Sequence, residues 1–327
     1  MTFDLTCLST LRSDKTKIAL SLEDMERLES FFRESFRIQK LPDNYDLLSL
    51  IRDACGRATA ERYRDLDEKR GQVSGSGDAA EAKKKFFDLI SADPLLGLVH
   101  STRWPFIIDS AAYLTALTRA LELQGPFLDI GCHGGYQAIC LATECELEGR
   151  GVDVSEAAVR YASTQAKELG ITSSRLTFDS RRIGDEMPLG GYRLVYSING
   201  PITLDERSFV ELLNVLQVGG LFVWVGNASE LNFAELHSAL NRVGLSLLLA
   251  DVIGGWNGKV FMARAVLVIG YQQISGESQD VGTELDSVWQ GFSSYCNVSG
   301  RGSSDKTLSK YRSWVTFGAS EGERVRV

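Results

Sequence analysis

Histidine and cysteine are scarce in this 327-residue chain, and what is present is badly spaced for metal chemistry. The three histidines, His100, His133 and His237, lie far apart, and the cysteines at 7, 55, 132, 140, 145 and 296 form no CxxC pair. That argues against a structural zinc site. Basic residues are also in deficit: 35 Lys and Arg against 43 Asp and Glu leave a formal charge of −8. A nucleic-acid partner normally needs a basic stripe to displace counterions, so the balance argues against one. The first residues show no apolar run after a basic start, and no 18-residue apolar stretch occurs anywhere. Neither a signal peptide nor a membrane span is expected, and a reducing, cytoplasmic setting is the default expectation. Nothing in the composition excludes a homodimer.

What the chain does have is ordinary globular material, 44% hydrophobic and 24% charged, in a length that suits one α/β domain with large additions. Residues 1–124 read as a helical region. Ser21 and Asp24 resemble a capping box ahead of Leu22, Met25, Leu28, Phe32 and Phe36 at helical spacing, and Leu41-Pro42-Asp43 ends that helix. A second helix is predicted from about Tyr45 towards Arg70, with Leu48, Ile51 and Cys55 on one face. Gly71 to Asp78 reads as a flexible connection, Ala79 to Ile90 as a shorter helix. Pro105 suits the first turn of a helix striped by Ile107, Ala111, Leu114, Leu117 and Leu121.

Over 125–271 the rhythm changes to short apolar runs: 126–130, 149–154, 175–178, 193–197, 220–225, 245–252 and 265–271. The first five are spaced for crossover helices. They predict an α/β fold, a doubly wound, mainly parallel seven-stranded sheet of Rossmann-like type, with the last two runs as an antiparallel hairpin at its edge. Residues 272–327 form a polar extension in which Trp289, Phe292 and Tyr295, then Tyr311, Trp314 and Phe317, recur at three-residue spacing. These read as two short helices or turns packed on the body, or as a lining for a substrate pocket.

The chemistry concentrates in Phe127-Leu128-Asp129-Ile130-Gly131-Cys132-His133-Gly134-Gly135 before the apolar-periodic stretch 136–142, a strand, a glycine-rich turn and a helix. Such a turn lets backbone approach a ligand and aims a helix N-terminus at it, although glycines also serve tight turns for geometry alone. The next strand ends in Gly151-Val152-Asp153-Val154-Ser155, with Asp153 24 residues after Asp129. An acid at that spacing accepts hydrogen bonds from ribose hydroxyls in nucleotide-binding α/β folds. The plainer role for Asp153 is to cap the helix beginning near Glu156. A dinucleotide turn requires glycine at its first, third and sixth positions, where this chain has Gly131, His133 and Tyr136. NAD and FAD fit poorly.

Asp129, Gly131 and Gly135 instead closely resemble motif I of the class I S-adenosylmethionine-dependent methyltransferases. Val152-Asp153-Val154-Ser155 resembles that family's ribose-binding strand end, and Gln217 to Val223 its turn before the fifth strand. The resemblance spans about Gly125 to Tyr271. It implies S-adenosyl-L-methionine as cofactor, contacted by Asp129, Gly131, Cys132, His133, Gly134, Gly135, Asp153, Val154, Asp179, Ser180 and Asn199. His133 replaces the usual middle glycine, and Arg193 stands where an acid often opens the fourth strand. For the adenine contact Asp179, directly after the third strand, is preferred to Asp185. Asn199 lies where amine and amide methyltransferases carry Asn/Asp-Pro-Pro-aromatic, but Gly200 and Ile202 depart from that pattern, which leaves Asn199 as a pocket-facing candidate or a plain turn.

Methyl transfer needs a general base only when the nucleophile must lose a proton. His133 reads as a contact or packing residue and His237 as a surface residue. His100, with Trp104, is placed by the resemblance in a segment that folds over the cofactor, and the N-terminal helices are expected to close over the strand ends as a cap. The favoured function is methylation of a small-molecule acceptor, with a secondary metabolite as one candidate. Methylation of protein or RNA, with the helical region as a docking module, is the second reading. A cofactor-binding scaffold without turnover is the third.

Overall fold

The computed structural model describes residues 20–36, 46–72, 77–93, 96–97, 99–100, 105–181, 191–226, 233–257 and 260–271. Trp104, Asp185 and the six aromatic residues singled out after 272 lie outside them.

Seven strands form one sheet in the order β3-β2-β1-β4-β5-β7-β6. They are β1 (Phe127–Ile130), β2 (Gly149–Asp153), β3 (Leu176–Ser180), β4 (Tyr192–Ile198), β5 (Leu216–Gly226), β6 (Leu245–Asn257) and β7 (Val260–Tyr271). All pairings are parallel except those of β7, which runs antiparallel to β5 and β6. The doubly wound sheet and its terminal hairpin therefore stand as the apolar runs predict. Strands β5, β6 and β7 outrun the predicted segments, because Gly219, Gly254, Gly255 and Arg264 interrupt the apolar pattern without interrupting the ladder. In β1 all four residues are buried, as expected of a central parallel strand covered on both faces.

Helix α1 (Leu22–Phe36) opens with the capping box: the Asp24 N–H donates to Ser21 Oγ at 3.1 Å, and Ser21 Oγ donates to Asp24 Oδ2 at 2.8 Å. The helix predicted over 45–70 is two, α2 (Leu47–Cys55) and α3 (Arg57–Gln72). They are separated by Gly56 at φ 88°, ψ 163°, a conformation that no helix continues through. Next come α4 (Gly77–Ala92) and α5 (Pro105–Ala120), then the crossover helices α6 (Tyr136–Glu144) and α7 (Glu156–Glu168), and α8 (Glu206–Leu213) and α9 (Phe233–Arg242).

The helical region divides by what it buries. Helix α5 is buried nearly all round, from Ile108 to Thr118, because α1 covers the side turned away from the sheet. Leu28, Phe32 and Phe36 of α1 join the same core as β1, β4, β5 and α6. The other sheet face packs on α8 and α9. Helices α2, α3 and α4 instead enclose a separate small core of Ile51, Ala60, Tyr63, Phe86, Ile90 and Leu96. That unit rests on the body through α4, which packs along α7.

Candidate functional site

Strand order reverses between β1 and β4, and a crevice opens at such a switch point beyond the carboxyl ends of the strands. Two turns wall it. The first follows β1: the N–H groups of Gly131 and Cys132 both donate to Val152 O, at 2.8 and 3.1 Å, and the Gly135 N–H donates to Cys132 O at 2.8 Å. The second follows β4, and its Pro201 presses on Gly131 so closely that a Cβ at 131 would sit 2.8 Å from Pro201 Cδ. Gly131 also has φ 81°, so both space and backbone demand glycine there.

His133 adopts φ 45°, an uncommon conformation for a residue with a side chain, and the turn is held there by Asp153. The His133 N–H donates to Asp153 Oδ2 at 2.9 Å, and the Ser155 N–H donates to Asp153 Oδ1 at 2.8 Å. The cap of α7 is Ser155 itself, whose Oγ accepts from the Ala158 N–H. Asp153 thus supports the helix entrance and the glycine turn together. Each of its oxygens keeps a further acceptor site for a diol.

Beneath the turn Asp129 is 2% exposed, and its Oδ2 makes no hydrogen bond; the buried Tyr196 hydroxyl beside it also lacks one. Burial holds Asp129 well above the usual carboxylate range. The nearby Tyr196 hydroxyl opposes that shift, while the Asp153 charge adds to it. Burial, then the charges of Asp129 and Asp153, push the Cys132 thiol up, so it stays protonated and unreactive. Burial lowers the His133 pKa against the pull of Asp153, and His133 Nε2 is enclosed without a partner. Gly134 has no room for a side chain because the Tyr136 ring lies 2.7 Å from where its Cβ would be.

At the far side of β2, Asp179 and the exposed Ser180 end β3, and Asp153 pairs in register with Ser180. Arg150 lies 3.4 Å from Asp179 Oδ2, so this acid is partly neutralised. On the opposite side of the crevice Asn199 is exposed at φ 48°, and Arg264 Nε donates to its Oδ1 at 2.8 Å. Val154 follows Asp153, half-exposed. The sheet edge therefore gathers Asp129, Gly131, Cys132, His133, Gly134, Gly135, Asp153 and Val154 at one turn, with Asp179 and Ser180 on one flank and Asn199 on the other.

His100 is buried 6.4 Å from the His133 ring and shares a 2.9 Å hydrogen bond with the Tyr63 hydroxyl through Nδ1. Phe87 of α4 meets His133 edge-on at 5.1 Å. Asp88 accepts from Ser155 Oγ at 2.5 Å and is bridged by Lys84 at 2.7 Å. His237 is half-exposed on α9, beside Asn241. Tyr63, Phe87, Asp88 and Arg264 are site neighbours that the sequence reading missed. For Arg264 a signal existed, a charge inside the apolar run of β7.

The buried Asp129 oxygen without a partner and the half-exposed Asp153 with spare acceptors fit the polar ends of a nucleoside-bearing cofactor. Among the described residues no cluster of His, Cys, Asp and Glu could hold a metal, and no helix is long and apolar enough to cross a membrane.

Residues 122–242 match a family model described as a methyltransferase domain. By shape the chain is similar to a S-adenosylmethionine-dependent methyltransferase from Thiobacillus denitrificans in complex with S-adenosyl-L-homocysteine, at 13% identity and TM-score 0.41, over 50% of this chain and 91% of that one. It is similar to the [4+2]-cyclase SpnF at 18% identity and TM-score 0.40, over 49% of this chain and 81% of that one. A third similar structure is a ribosomal protein L11 methylase from Lactobacillus delbrueckii subsp. bulgaricus, at 17% identity and TM-score 0.40, over 50% and 79%. No curated protein matches by sequence.

Proposed function

We propose, from the methyltransferase-domain match over residues 122–242 and the motif and strand-end acids around it, that the chain is a class I S-adenosylmethionine-dependent methyltransferase and that it methylates a small molecule held beneath helices α2–α4. The observation that carries this reading is the meeting of the α2–α4 unit with the glycine turn, Phe87 on His133 and Asp88 on Ser155. In this reading a unit with its own core packed there walls the crevice, which suits a compact acceptor better than a folded macromolecule. The net charge of −8 points the same way.

In this reading Asp153 takes the ribose hydroxyls, Asp129 and the turn 131–135 hold the amino-acid end, and Asp179 with Ser180 flanks the adenine. The cofactor supplies a methyl group on a positively charged sulfur. The chain supplies alignment and exclusion of water, and fixed alignment contributes about 7–11 kcal/mol to such reactions. Phe87 forms the part of the cap nearest the turn, and His100, hydrogen-bonded to the Tyr63 hydroxyl, backs it from within the cap.

The test is direct: purified protein is denatured and its supernatant assayed for S-adenosylmethionine or S-adenosylhomocysteine, followed by titration of each and a screen of small acceptors. Turnover on a protein or RNA substrate, with none on small molecules, would overturn the small-molecule reading.

A further inference from the structure

Asn199 and Arg264 meet at the crevice although 65 residues separate them in the chain. Asn199 is fixed from behind. Its backbone N–H donates to Val225 O at 2.7 Å, extending the β4–β5 ladder, and a Cβ at Gly200 would lie 2.8 Å from Ile130 O. The following Pro201 rests on Gly131, so this turn is wedged against the cofactor turn. Arg264 sits one residue outside the β5–β7 pairing, where Ala265 faces Gly226, at the carboxyl end of the parallel strands.

The 2.8 Å bond from Arg264 Nε engages the Asn199 carbonyl oxygen. The other end of that amide is its NH2 group, which donates. An amine acceptor would bring N–H donors, and when protonated a positive charge, towards a donor amide beside a guanidinium. An oxygen bearing negative charge meets both with favourable sign, and charge-assisted bonds of this kind are the stronger class. The pair thus reverses what an asparagine with a free carbonyl would select.

We infer that Asn199 and Arg264 select an acceptor whose reacting atom is an anionic oxygen, a carboxylate or an ionised phenol. This rests on the methyltransferase reading above. The acceptor oxygen forms the new bond to the methyl carbon with its own lone pair, and the electrons of the broken sulfur–carbon bond stay on sulfur. An anion and a sulfonium become a neutral ester or ether and a neutral thioether. No proton leaves, so the step requires no general base.

The experiment measures binding of benzoate, para-nitrophenolate and benzylamine by ligand-observed NMR at mildly alkaline pH, with saturating S-adenosylhomocysteine. At least one anion should bind about tenfold or more tighter than benzylamine, and which one distinguishes the two oxygen types. Arg264→Gln should weaken that anion by about 10- to 100-fold and leave the circular dichroism spectrum and S-adenosylhomocysteine affinity unchanged. Asn199→Asp should reverse the preference towards benzylamine. Benzylamine binding as tightly as either anion, absence of anion binding, or an indifferent Arg264→Gln overturns the inference. Should S-adenosylhomocysteine itself fail to bind the native chain, the methyltransferase reading falls and this inference with it.

Discussion

The Asp153 carboxylate already accepts one backbone N–H on each oxygen, from His133 and Ser155, apart from any ribose contact proposed for it. Asp153→Ala should therefore lower S-adenosylmethionine affinity by about 10- to 150-fold, the equivalent of a lost charged hydrogen bond, and also cost about 1–3 kcal/mol of stability for the stranded donors. Calorimetry and urea unfolding separate the two effects; full affinity in a folded variant removes the ribose assignment. Asp129 behaves differently. Its pKa is raised in the folded chain, so its contribution to stability is present at acid pH and is lost as pH rises through the raised value. Asp129→Asn removes that slope and should be the more stable protein at neutral pH, its advantage shrinking as pH falls. Urea midpoints at neutral and acid pH would show this, and parallel pH profiles would contradict it. Both acids were legible in the sequence because turn, strand end and spacing are local features. Arg264 was legible only as a charge inside an apolar strand, since its meaning comes from Asn199, which only the sheet brings near.

At the scale of elements, strands were easier to read than helix ends. Short apolar runs of parallel strands announce themselves, whereas the break between α2 and α3 hides inside a continuous helical stripe from Ile51 through Cys55 to Tyr63. Gly56 makes the break, at φ 88° and ψ 163°, with open space where a side chain would go. Gly56→Ala should cost about 1–3 kcal/mol through backbone strain alone, because that region is essentially closed to L-residues. The loss should appear as faster hydrogen exchange across α2 and α3 while β1 and β4 keep their protection. Unchanged exchange would mean that the two helices tolerate fusion. His133→Gly is the converse case. It relieves a strained φ of 45° but deletes the ring between Phe87 and Tyr136. The turn should fold, and α4 should exchange faster.

Across the whole molecule, the N-terminal helices serve two masters, and nothing in the sequence says which core each apolar stripe joins. Helices α1 and α5 complete the sheet's own core through Phe32, Phe36 and Leu114, whereas α2–α4 close on Tyr63, Phe86 and Ile90. Two cores joined by a narrow seam can lose structure separately, and the smaller will go first. Phe86 is fully buried and touches Tyr63, Phe87 and His100. Phe86→Ala should remove about 3–5 kcal/mol from the α2–α4 unit, more than a core of that size supplies, without reaching β1 or the glycine turn. The expected variant keeps a cooperative melt for the sheet domain and binds S-adenosylhomocysteine, yet loses exchange protection over 47–92. If those helices form the wall over the acceptor, turnover should collapse while cofactor binding survives, because water exclusion and acceptor placement both sit on the lost side. Undiminished turnover with α2–α4 unfolded would assign the unit to docking or assembly, and the acceptor site would then have to be built from the sheet edge alone.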